Sequence, residues 1–192
     1  MPFKLPIFRK KVLDLLASSD ETKVMHVSDT PESVYRFIGE LMEKTDPDYV
    51  IHTGDLADNV KLERRPELRP LYKGAIRKLA HVLKGYGVEL YIVPGNEDDP
   101  ELVREFFGKA VVEPGTVIEI EGVKFALGHT WKDVVNLDAD FRLYGHNFKL
   151  IERGLNGVLG VNFVLLPSRQ TYRVKYPGGT DFDRGYKMWR GM

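Results

Sequence analysis

The stretch YVIHTGDLAD, residues 49–58, decides the fold. Its apolar start, Tyr49, Val50 and Ile51, predicts a short buried strand. The run breaks at Gly54 and sets two carboxylates, Asp55 and Asp58, just past the break. A strand that ends in Gly-Asp delivers a charge to the carboxyl end of a sheet, where open α/β folds keep their sites. A carboxylate there has two oxygens free for a cation, and it can bridge two ions.

Upstream, Val24 to Val27 predicts a strand ending at Ser28-Asp29. Pro31 suits a first helical position with Thr30 as its N-cap, and Val34, Tyr35, Phe37, Ile38, Leu41 and Met42 follow at helical spacing. Residues 24–58 therefore predict a parallel strand–helix–strand unit. Downstream, a basic loop (Lys61, Arg64, Arg65, Arg69) leads into a second helix stopped at Gly85 or Gly87. Val88 to Val93 reads as a strand ending in Pro94-Gly95-Asn96-Glu97, and Asp99-Pro100 opens a short helix closed by Gly108. The character then changes. Glu121-Gly122 reads as a hairpin, two strands run into Gly128-His129 and Gly145-His146, and two more cover Phe163–Leu166 and Tyr172–Tyr176. Such a chain predicts an α/β fold of two packed sheets with helices outside, including an amphipathic helix over residues 7–17.

With 192 residues, the chain is expected to form one domain, 1–192, with residues 1–22 as a helical extension and 178–192 as a tail. A formal net charge of zero does not advertise a nucleic-acid or membrane partner. The absence of cysteine excludes disulfides and thiolate metal sites. The charged N-terminus lacks the apolar run of a signal peptide or a membrane span, so a cytoplasmic location is expected. Gln occurs only at Gln170 against many Lys, Arg and Glu, a balance found in thermophile proteins.

Five segments repeat one device: an apolar run ends in a Gly or Ser turn and presents Asp29, Asp55, Asn96, His129 or His146. Side chains limited to Asp, Asn and His predict one oxygen/nitrogen site for Mn, Fe, Ni or Zn rather than a calcium cage. The order Asp29, Gly54-Asp55-x-x-Asp58, Gly95-Asn96, His129, Gly145-His146 resembles the calcineurin-like metallophosphoesterases, over roughly residues 23–150. That resemblance implies a four-layer α/β/β/α sandwich, one or two divalent ions with Asp55 as the bridge, and hydrolysis of a phosphomonoester or phosphodiester.

The departures are concentrated. Where the family has Asp-x-His, this chain has Asp29 and then Pro31; where it has Gly-His-x-His, this chain has Gly145-His146-Asn147-Phe148. Both missing histidines belong to one metal of the family's pair. The other metal's ligands would be Asp55, Asn96, His129 and His146, and all are present. Glu97 stands where the family places the histidine that protonates the leaving group, and it is the candidate acid beside Asp55. Glu32 is a candidate replacement for the lost histidine near Pro31.

Blander readings accompany each residue. Asp29 can cap a helix, Asp58 can support the site from behind, and His26, His52 and His81 read as structural. Asp98 and Asp99 read as helix-start residues, and Arg64, Arg65 and Arg69 as a solvated face with a phosphate role as the alternative. The C-terminal run from Arg173 to Arg190 interleaves basic and aromatic residues as nucleic-acid binders do, but in a neutral chain it reads as a packed tail or dimer contact. The alternative is a catalytically weak or inactive binding or scaffold module on the same fold, with or without one retained metal.

Overall fold

The computed structural model describes residues 7–186, with the side chains of residues 7–9 left aside. The chain runs α1 (Ile7–Ser18), β1 (Thr22–Val27), α2 (Tyr35–Thr45), β2 (Tyr49–His52), α3 (Arg69–Lys84), β3 (Glu89–Ile92), α4 (Pro100–Phe107), β4 (Thr116–Ile120), β5 (Val123–Leu127), α5 (Trp131–Val134), β6 (Phe141–Tyr144), β7 (Gly154–Asn156), β8 (Val161–Leu166), β9 (Thr171–Val174) and α6 (Thr180–Asp183). One sheet has the order β3-β2-β1-β8-β9 and the other β4-β5-β6-β7. In the first, β1, β2 and β3 are parallel and β8 runs against β1; in the second, β5, β6 and β7 are parallel and β4 closes a hairpin.

Strand periodicity sorts the side chains into layers. Met25 and Val27 of β1, Val50 of β2 and Val161, Phe163 and Leu165 of β8 face α1–α4. Their neighbours Val24, Ile51, Val164 and Leu166 meet Phe125, Leu127 and Leu143 between the sheets. On the far side of the second sheet, Ala126 and Tyr144 pack with Val134 beside α5. The result is the expected four-layer α/β/β/α sandwich. Strands buried on both faces read as continuous apolar runs, which is why β1, β2 and β8 are recognisable in the sequence.

Two local expectations change. Thr30 does not cap a helix: its hydroxyl donates to the Leu56 carbonyl at 3.0 Å and meets His52 Nε2 at 2.8 Å. A short 3-10 turn, Glu32–Val34, precedes α2 instead. The three-residue strand β7 has too little pattern to be seen in the sequence. Lys187, Trp189 and Arg190 of the C-terminal run lie outside the described residues. Among the described residues, no helix is long and apolar enough to cross a membrane.

Candidate metal centre

Asp29, Asp55 and His146 all have left-handed backbones, with φ of 51°, 55° and 68°. Non-glycine residues are held there only where their surroundings impose it, and such positions concentrate at functional sites. Each lies just past the end of β1, β2 or β6, so three chain reversals meet at one end of the sandwich. The turns are packed to contact. A Cβ on Gly95 would fall 2.2 Å from Asp55 Oδ1, and one on Gly145 would fall 2.1 Å from Asp29 Oδ2. The glycines ahead of Asn96 and His146 are therefore steric requirements of the site.

His129 is fixed first. Its Nδ1–H donates to the Thr53 carbonyl at 2.8 Å, which turns Nε2 toward the site. That Nε2 meets Asn96 Oδ1 at 3.0 Å, His146 Nδ1 at 3.2 Å and Asp55 Oδ2 at 3.6 Å. The amide of Asn96 presents its oxygen because Nδ2 donates to Glu63 Oε2 at 2.9 Å. Donor atoms of Asp55, His129 and His146 lie within 4.8 Å of one another. Two imidazoles, a carboxylate and an amide oxygen suit a divalent transition metal.

The electrostatics point the same way. Burial, and then the charges of Asp29, Asp98 and Asp58, hold the Asp55 carboxyl well above its ordinary range. Burial and the adjacent His129 lower the pKa of His146. A carboxylate and an imidazole that both resist charging in this way are relieved by a bound cation.

Other expected residues fall elsewhere. Asp29 lies against the site with its carboxylate on the His146 backbone N–H, at 3.2 and 3.0 Å, and on the Ser28 hydroxyl at 2.5 Å. It is not part of the group whose donor atoms converge. Glu32 turns away to Lys78, so it does not replace the missing histidine. Pro31 offers no ligand atom, and Phe148 is half exposed beside Tyr186, ring centroids 5.2 Å apart. Glu97 is buried, with Oε2 accepting from the Glu63 N–H at 2.9 Å and Oε1 4.0 Å from Lys61 Nζ; its own N–H donates to Asp55 Oδ1 at 3.0 Å. Arg65 and Arg69 pair with Glu67, Asp99 and Glu101 on the surface, consistent with a solvated face.

Three supporting residues escaped the sequence reading. Asp99 caps α4 as expected, accepting from the Leu102 N–H. Asp98, however, is buried and accepts from the N–H groups of Asp55, Leu56 and Gly95 and from the Tyr72 hydroxyl, at 2.7–2.8 Å. It locks the Asp55 turn to the Asn96 turn. Arg184, read as part of a tail, is buried and donates to the carbonyls of Asp29 (2.7 Å) and Val158 (2.9 Å) and to Asp181, with its guanidinium 4.6 Å from the Tyr176 ring centre. Lys61, read as part of a basic loop, contacts Asp58. His26 and His52 are structural as expected: burial lowers each pKa to about 3, and they bond Thr53 and Thr30.

Comparison with known proteins agrees with this architecture. The family model described as calcineurin-like phosphoesterase matches residues 22–184. No curated protein matches the sequence significantly. Among solved structures, Yfce, a phosphoesterase from E. coli, is similar at 14% identity and a TM-score of 0.52, covering 81% of this chain and 100% of its own. Another solved chain is covered in full at 10% identity and a TM-score of 0.57, over 82% of this one. At such identities the likeness concerns the fold.

Proposed function

The chain belongs to the calcineurin-like phosphoesterase family, and on that premise we propose that it hydrolyses a phosphate ester, monoester or diester, at a metal held by Asp55, Asn96, His129 and His146. The observation that carries this reading is the convergence on His129 Nε2 of Asn96 Oδ1 at 3.0 Å, His146 Nδ1 at 3.2 Å and Asp55 Oδ2 at 3.6 Å. When bound there, a divalent ion of the Mn, Fe, Ni or Zn type would supply Lewis acidity toward a phosphoryl oxygen and lower the pKa of its water toward ~7.

The chain's own residues arrange the rest. Thr53 sets the His129 tautomer, Glu63 orients the Asn96 amide, and the Glu97 N–H holds Asp55. Asp29 acts in this reading through His146, whose backbone it holds. Glu97, the expected acid, accepts from the Glu63 N–H and lies 4.0 Å from Lys61 Nζ, so this reading assigns it no proton transfer.

The test is metal analysis of the purified chain with hydrolysis of an aryl phosphate and an aryl phosphodiester in added Mn. The expected result is bound metal and turnover that His146→Ala abolishes. Bound metal without turnover above the His146→Ala control would favour the binding-module alternative, and neither metal nor turnover would sink the enzyme reading.

A further inference from the structure

We propose that the Lys61 ammonium is a built-in second cation: it occupies the acidic side of the site at Asp58 and holds the protein to one divalent ion per chain. The inference rests on the metal position proposed above and adds to it a limit on metal count.

Beyond Asp55 the site is acidic and buried. Asp29 and Asp58 are each 1% exposed. Asp29 lies close enough for its charge to act on both Asp55 and Asp58. Asp58 Oδ2 is the one buried side-chain oxygen without a hydrogen-bond partner among the described residues. A buried, unsatisfied carboxylate oxygen is costly and calls for positive charge nearby.

No preformed ligand set answers that call. Among the described residues, the donor atoms of Asp29, Asp55 and Asp58 do not close into a group like that of Asp55, His129 and His146. Lys61 answers it: Nζ contacts Asp58 Oδ1 and lies 4.0 Å from Glu97 Oε1. The Arg184 charge also acts on Asp58, but its guanidinium is committed to backbone carbonyls and Asp181. Lys61 is 31% exposed, so its amine reaches in from the solvent edge and can be removed without opening the core.

An ammonium and a divalent ion compete for the same carboxylate oxygens and repel each other at this range. With Lys61 gone, both Asp58 oxygens and Glu97 Oε1 become free, hard oxygen ligands next to Asp55. A second ion then has a place to bind.

The experiment counts Mn bound to the full chain by equilibrium dialysis, with free Mn read by electron paramagnetic resonance. Wild type is expected to saturate at one ion, Lys61→Met at two, and Lys61→Met/Asp58→Asn again at one. Circular dichroism checks each variant, and Lys61→Gln serves if the Met variant does not fold. Wild type taking two ions overturns the inference and leaves the phosphoesterase reading standing. A folded Lys61→Met or Lys61→Gln variant that stays at one ion overturns it as well. Wild type taking none overturns the metal position itself, and the inference with it.

Discussion

Both carboxylate oxygens of Asp29 receive the backbone N–H of His146, at 3.2 and 3.0 Å, although the two residues lie 117 positions apart. The pair joins the end of β1 in one sheet to the end of β6 in the other. The position of the His146 ring thus depends on a carboxylate outside the converging group. Asp29→Ala is expected to weaken Mn binding by roughly 10–100-fold, the usual cost of losing a residue that orients a ligand. Asp29→Asn keeps an acceptor for the N–H and is expected to lose less. Equal losses in the two variants, measured by Mn titration, would instead make the Asp29 charge itself the contribution.

Much of this site was legible because its parts follow strand ends. Tyr49-Val50-Ile51 before Gly54-Asp55 is apolar because β2 is buried on both faces, and the runs before Asn96, His129 and His146 end in the buried residues Ile92 and Val93, Leu127, and Leu143 and Tyr144. Residues that act through the tertiary fold were not legible. Asp98 sits in a run of three acids, Glu97-Asp98-Asp99, before Pro100, where a helix cap explains either aspartate, and only the meeting of two turns shows that it bonds Asp55 and Gly95. Arg184 lies in a basic, aromatic segment whose local pattern is that of a surface. Its burial comes from α6 folding back over Ser28 and Asp29. Glu32 illustrates the opposite error: proximity in sequence suggested a ligand, while the 3-10 turn points its carboxylate to Lys78.

The buried acids give the metal-free protein a defined response to pH. Burial, and then Asp29, raise the Asp58 pKa from 3.8 to about 7, against a partial offset from Lys61. The folded state then binds a proton that the unfolded chain has released, so stability is highest near the unfolded pKa and falls as pH rises toward the folded one. A shift of this size corresponds to a loss of roughly 4 kcal/mol across that window. Urea unfolding in EDTA at pH 5 and pH 8 should show the loss in wild type, and Asp58→Asn should reduce it, leaving the part that belongs to Asp55. An Asp58→Asn protein with the wild-type difference between the two pH values would refute the assignment. Added Mn should raise the unfolding midpoint more at pH 8 than at pH 5, since ligand binding stabilises the form that binds it.

Gly95→Ala tests the packing of the two turns. The added Cβ would lie 2.2 Å from Asp55 Oδ1, 2.5 Å from Asp55 N and 2.8 Å from His129 Cε1. Backbone and two site side chains must all shift, at a cost of about 1–3 kcal/mol by analogy with overpacked interiors. The expected outcome is weakened Mn binding together with a lowered unfolding midpoint. Gly74→Ala is the control, because a Cβ there meets nothing within 4 Å. Mn affinity unchanged in Gly95→Ala would mean that the site tolerates movement of Asp55 or His129.

Arg184 tests whether the C-terminal segment belongs to the site's foundation. Its guanidinium is fully buried and donates to the carbonyls of Ser28, Asp29 and Val158. Arg184→Ala removes the donors, exposes the Tyr176 ring face and leaves those carbonyls without that partner. Breaking a buried, hydrogen-bonded cation of this kind costs about 3–5 kcal/mol. Arg184→Lys keeps the charge but has one nitrogen in place of a planar fork, so it should recover only part of the loss. Denaturant unfolding measures both variants. Because Arg184 holds the Asp29 carbonyl, and Asp29 holds His146, Mn affinity should fall in the same order as stability. Normal Mn binding by a destabilised Arg184→Ala protein would separate the segment from the site and confine Arg184 to holding the fold.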